Sequence, residues 1–155
     1  MQRTEGVAAP NRIQAAALDG LAQQLKRDLP SRIVIAGGPR CGKSILSGKL
    51  AVTRVRGTDE LIGLGWSEAS DAASRWFNEP GPWICEGVAM PRALRKWLAA
   101  HPGNGKPADL VVWLGVAVVA RVPGQEAMAA GCLTVWREIR PELFRRGVRL
   151  RELNG

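Results

Sequence analysis

The sequence is short of the residues that hold secreted and metal-bound domains together. It has three cysteines, Cys41, Cys85 and Cys132, with no CxxC pair, and a single histidine. That argues against both a disulfide framework and a zinc site. Long apolar runs are missing as well. The longest, "LVVWLGVAVVA" (110–120), is too short to span a bilayer and carries a glycine, so no membrane partner is expected. The opening "MQRTEGVAAPNR" has no apolar core of the signal-peptide kind, so a cytoplasmic protein is expected. Tyrosine is absent, lysine is scarce (5 against 17 arginines), and no repeat, low-complexity tract or linker is evident.

What is present fits one globular domain. The 155 residues are 46% hydrophobic and 23% charged, enough to bury a core without staples. A single domain over 1–155 is expected, with 1–30 as an N-terminal helical extension and about 120–146 as a lid-like and helical segment. The net charge of +8 attracts anions. Its arginine bias goes with abundant Ala and Gly and reads as coding bias. No helix-turn-helix or aromatic platform accompanies it, so a nucleic-acid partner is not expected.

Strand and helix patterns alternate along the chain. "NRIQAAALDGLAQQLKRDL" (11–29) places Ile13, Ala17, Leu21, Leu25 and Leu29 at helical spacing ahead of Pro30. "SRIVIAG" (31–37) reads as a buried strand and "KSILSGKLAV" as a helix starting near Lys43. "TRVRGTDEL" (53–61) offers a short strand ending at Gly57. "SEASDAASRWFN" (67–78) opens with a Ser67–Ser70 capping box and reads as a helix. "PWICEGV" (82–88) and "ADLVVWLGV" (108–116) are apolar strands on either side of the helix "PRALRKWLAAH" (91–101). Residues 124–147 read as a helix in two pieces broken at Pro141, and "VRLREL" (148–153) as a last strand. Strands that are apolar throughout and alternate with helices predict an α/β three-layer sandwich, with a mainly parallel sheet of about five strands.

Between the first strand and the second helix lies "GGPRCGKS" (37–44), which satisfies G-x-x-x-x-G-K-[ST]. The mechanism needs each residue type. Gly37 and Gly42 let the backbone curl with its N–H groups inward as an anion nest, and the following helix adds its positive end. Lys43 bridges β- and γ-phosphates, and Ser44 offers a hydroxyl to Mg²⁺. Gly38, Pro39, Arg40, Cys41 and Ile45 complete the nucleotide-binding stretch. A phosphate cradle for ATP or another NTP, with Mg²⁺, is the expectation.

"AGGPRCGKS" on a short α/β chain resembles the P-loop kinase group, the small nucleoside, nucleotide and shikimate-type kinases. The resemblance covers about 31–153, with the P-loop as its specific part, and implies a P-loop NTPase fold and a phosphotransferase. N-K-x-D, the GTPase specificity motif, is absent. The resemblance gives Glu86, at the tip of "WICEG", the role of orienting Mg²⁺ or its waters, in place of the commoner Asp; the alternative is a strand-end cap. It gives Asp59 the role of holding the acceptor hydroxyl and taking its proton; the alternative is a solvated turn carboxylate, and Glu60 can stand in for it in either role. Arginines on a lid after the fourth strand would neutralise the transferred group, with Arg121, Arg137 and Arg140 the candidates and Arg145 and Arg146 beyond. Small size and sparse motifs also suit a phage-encoded enzyme. Of six tryptophans, Trp83, Trp97 and Trp113 read as core, Trp76 rather as core, and Trp66 as the candidate wall of an acceptor pocket. His101 reads as a helix-end cap. A nucleotide-gated regulator without a small-molecule acceptor is the competing expectation.

Overall fold

The computed structural model describes residues 11–50, 52, 54–61 and 63–154. Residues 1–10, the opening read above as lacking a signal-peptide core, lie outside the described residues. The elements run α1 (Arg12–Lys26), β1 (Arg32–Gly37), α2 (Lys43–Lys49), β2 (Val55–Gly57), a 3-10 turn at Thr58–Leu61, α3 (Trp66–Trp76), β3 (Trp83–Gly87), α4 (Met90–Ala100), β4 (Leu110–Leu114), α5 (Gln125–Arg145) and β5 (Arg149–Leu153).

The five strands form one sheet in the order β2-β3-β1-β4-β5, every pairing parallel. The α/β three-layer expectation holds. Alternation along each strand sends successive side chains to opposite faces. Val34, Ala36, Cys85, Val111 and Trp113 pack with α3, α4 and α5, while Ile33, Ile35, Ile84, Leu110 and Val112 pack with α1 and α2. The direction of travel explains the split. The β1-to-β2 connection moves one way across the sheet and the three later crossovers move the other way. A single crossover hand then requires helices on opposite faces. The connections after β1 and β4 also diverge, which opens a crevice at the carboxyl ends of these neighbours.

Three local expectations are corrected. In α1 the buried set is Gln14, Leu18, Leu21, Ala22 and Leu25, whereas Ile13 is 79% exposed. Strict i+4 steps advance about 400° each and drift around a helix of 3.6 residues per turn, so Ile13 and Leu25 cannot share a face. Gly65, with no side-chain cap, starts α3 in place of the Ser67 box. Ser70 Oγ instead donates to the carbonyls of Trp66 and Ser67. Finally, α5 runs unbroken through Pro141. An internal proline costs a helix about 3 kcal/mol. Burial of Cys132, Val135, Trp136 and Ile139 before it and Leu143 after it outweighs that.

Trp76, Trp83, Trp97, Trp113 and Trp136 are all buried, the last two stacked with centroids 5.3 Å apart. His101 closes α4, its ring 3.9 Å from that of Trp97. No described helix is long and apolar enough to cross a membrane.

Candidate functional site

The glycine-rich stretch turns the chain from β1 into α2 at the mouth of the crevice. Its sharp bend is made by two left-handed residues, Arg40 (φ 61°) and Gly42 (φ 87°). Gly42 is needed on two grounds: its φ suits glycine, and a Cβ there would stand 2.6 Å from Leu18 Cδ1 of α1. Arg40 holds the same conformation with a side chain, which costs about 1–2 kcal/mol and persists only where neighbours enforce it.

Beside the loop lies a cleft of about 410 Å³. From the sequence-predicted set it gathers Pro39, Arg40, Gly42, Lys43, Ser44, Ile45, Asp59 and Glu86 on one surface. Gly37, Gly38 and Cys41 form the buried backbone behind it, outside the lining. The parallel register explains how Glu86 arrives there. Ile35 pairs with Glu86 and Ala36 with Gly87, so β3 delivers its carboxylate level with the start of the loop. Gly57 of β2 stands opposite Glu86, and a Cβ on it would lie 2.5 Å from Glu86 Oε1. The carboxylate therefore rests over a bare backbone.

Charge in this cleft is held against solvation. Burial pushes Glu86 above the ordinary glutamate value; nearby Lys43 opposes that rise and Asp59 adds to it. Glu86 is 8% exposed, and no side chain or backbone group among the described residues donates a hydrogen bond to its carboxylate. Lys43 is pushed below the usual lysine value by burial, with Cys41, Glu86 and Cys132 drawing it back and Arg121 adding to the fall. Its Nζ donates to the Gly38 carbonyl at 2.6 Å, folding back over the loop it follows.

A second cavity of about 260 Å³ shares Asp59 and Val88 with this cleft and is otherwise lined mainly by apolar side chains, Trp66 among them. Trp66 is 44% exposed, and the Arg92 guanidinium lies 4.8 Å from its ring centroid.

The proposed lid arginines are not brought to the cleft. Arg121 turns toward the far side of the glycine-rich loop, and Arg137 lines separate cavities between α5 and the β4–β5 end of the sheet. Arg140 makes a two-pronged pair with Glu152 at 2.7 and 2.9 Å. Arg145 and Arg146 both engage Glu142. Of the expected lid-like segment, 125–145 is helix packed on the core, and only the stretch before it is irregular.

Sequence reasoning missed the opposite wall of the cleft, formed by Val118, Val119, Gln125 and Met128. Nothing in their types marks them, since an apolar run continuing past a strand looks the same whether it lines a cleft or a core. The legible signal was topological: the segment following β4 lies beside the loop that follows β1. No family model matches this chain, and no curated protein matches it in sequence.

Proposed function

We propose that the chain is a Mg²⁺-dependent, nucleotide-binding P-loop kinase that transfers a γ-phosphoryl group to a small acceptor. The observation that carries this reading is the meeting of Lys43, Ser44, Asp59 and Glu86 in one cleft beneath a left-handed glycine-rich turn. Anion chemistry accounts for both halves of it. A lysine whose ammonium is destabilised by burial gains from polyanionic oxygens. A buried carboxylate without a donor gains from a hard cation.

The donor set fits a magnesium nucleotide: the Ser44 hydroxyl and Glu86 carboxylate are oxygen ligands of the kind that ion prefers. When bound, the ion neutralises charge on the phosphate oxygens. The chain's own residues supply the rest. The loop amides between Gly38 and Ser44, Pro39 excepted, would meet the phosphates, Lys43 would move from the Gly38 carbonyl to the transferred group, and Asp59 would accept the proton of the attacking hydroxyl. Asp59 lies where the two cavities join, so an acceptor in the Trp66-lined cavity presents its hydroxyl toward the phosphate end. The enzyme would work in the cytoplasm.

One observation favours the second reading, a slowly hydrolysing nucleotide-gated regulator. Among the described residues Arg40 alone of the arginines lines the cleft, and its Nε donates to Gln125 at 3.1 Å. ADP release from Mg·ATP over a panel of nucleosides, nucleoside monophosphates and hydroxylated metabolites separates the two. Release stimulated by one acceptor, and abolished in both Lys43→Ala and Asp59→Asn, is the kinase result. Nucleotide binding that Lys43→Ala destroys, with no acceptor effect, leaves the regulator. No nucleotide binding at all by the native chain overturns both.

A further inference from the structure

The segment between β4 and α5, residues 115–124, crosses the outer side of the glycine-rich loop and is bonded to it at successive residues. Arg121 Nε donates to the Pro39 carbonyl at 2.8 Å, and its Nη2 lies 3.0 Å from the Cys41 sulfur. The Val118 amide donates to the Arg40 carbonyl at 2.8 Å. Arg40 in turn gives its Nε to Gln125, whose Oε1 also receives the Val122 amide at 2.9 Å. With Lys43 on the Gly38 carbonyl, the carbonyls of Gly38, Pro39 and Arg40 all carry a donor.

The fit is close enough to restrict residue size. A Cβ on Gly38 would meet the Ala129 Cβ at 2.8 Å and Arg121 Nη2 at 3.1 Å, so a glycine on the loop and an alanine on α5 make room for the guanidinium. The Arg121 side chain is 12% exposed, with Glu126 at 3.5 Å as its acidic neighbour. Such a buried guanidinium is fixed by its surroundings rather than free to sweep as a lid.

We infer that Arg121 is a positioning residue that holds the glycine-rich loop in its anion-binding shape from behind, and not a lid arginine that touches the transferred phosphoryl group. Each peptide unit points its N–H and C=O in opposite directions, so fixing the Pro39 and Arg40 carbonyls outward aims the amides of Arg40 and Cys41 inward. Arg40 holds a left-handed φ only because neighbours over-determine it, and Arg121 and Val118 are bonded at residues 39, 40 and 41. Pre-forming the nest removes its ordering cost from the binding step.

The inference rests on the nucleotide-binding reading only for its consequence, so its first test needs no nucleotide. Backbone hydrogen exchange of the native chain is compared with Arg121→Met and Arg121→Lys. A charged hydrogen bond lost on one side of the loop should speed exchange at the amides of 40–43 by about tenfold or more in Arg121→Met. The Lys variant, able to reach the Pro39 carbonyl but not also Cys41, should fall between. Strand amides of β1 and β3 should stay as protected as in the native chain. Unchanged exchange at 40–43 overturns the inference, as does a loss of protection spread evenly over the sheet. Should Arg121→Met fail to fold, Arg121→Lys carries the same readout. Affinity for ADP and ATP supplies the second test. Positioning from behind predicts that both weaken by a similar factor, about tenfold, in Arg121→Met. A loss confined to ATP would mark contact with the γ-phosphoryl group and overturn it. A native chain that binds neither nucleotide defeats the kinase and regulator readings, while the exchange result still decides the role of Arg121 in the loop.

Discussion

Two glutamates of this chain live in opposite circumstances. Glu86, at the tip of β3, is buried without a donor, and burial drives it above the ordinary glutamate value. Glu142, on the last turns of α5, is held down to about 2 by hydrogen bonds from Arg145 and Arg146. The second arrangement is structural. Arg146 also donates to the carbonyls of His101, Asn104 and Gly105, and Arg145 to that of Gly103, so the corner ties α5 to the loop after α4. The carboxylate and both guanidiniums there are partnered within the protein. At the cleft the Glu86 carboxylate has no donor among the described residues and the Lys43 ammonium has one carbonyl, the difference expected if the cleft takes a charged ligand.

Four changes sharpen or break that contrast. The largest effect is expected at Glu86→Gln. Nucleotide affinity in the presence of Mg²⁺ should fall tenfold or more, since a hard cation favours a charged oxygen ligand. The ligand-free protein should meanwhile melt higher, by about 2–4 °C for a gain of 1 kcal/mol in a chain of this size. A lower melting point together with unchanged Mg·nucleotide binding would make Glu86 a structural cap.

Next comes Glu142→Gln. It strips Arg145 and Arg146 of their shared carboxylate and should lower the melting point without touching nucleotide affinity. A loss of affinity would show that the corner and the cleft are coupled.

The pH dependence follows from the same two shifts with opposite signs. Because the folded value of Glu142 is depressed, its contribution is present above the unfolded value near 4.5 and drains away as pH falls toward about 2. Glu86 has a raised folded value, so it favours the folded state at low pH, and its contribution falls as pH rises through the window above 4.5. Acid melts of Glu142→Gln should therefore be flatter below pH 4.5 than those of the native chain. Glu86→Gln should remove a loss of stability on the rising side of pH 4.5.

The smallest effect concerns the thiols. Cys41, Cys85 and Cys132 are all buried, and burial pushes Cys85 up to about 12. Iodoacetamide at pH 8 should label none of them quickly in the folded chain and all three in denaturant. Rapid native labelling of Cys41 would mean that the 115–124 segment over the loop opens readily.

How much of this was legible beforehand depends on the range of the cause. The strands and the glycine-rich turn are local in origin: β-branched runs such as "RIVIAG" extend, and "GGPRCGKS" bends because glycine allows it, so residue order alone marked them. Helix α5 escaped because the burial that carries it through Pro141 comes from strands far away in the chain. The face of α1 escaped because a strict i+4 stripe is not a helical face. Among the candidate site residues, the sequence marked Lys43, Ser44, Asp59 and Glu86 on their elements, and only the resemblance implied that they would meet. Their meeting was settled by parallel register, which sets Glu86 beside Ile35 at the root of the loop. The direction of Arg121 was a tertiary matter too. A guanidinium in an irregular segment has no direction of its own, and only the small residues Gly38 and Ala129 beneath it decide that it faces the back of the loop rather than the cleft.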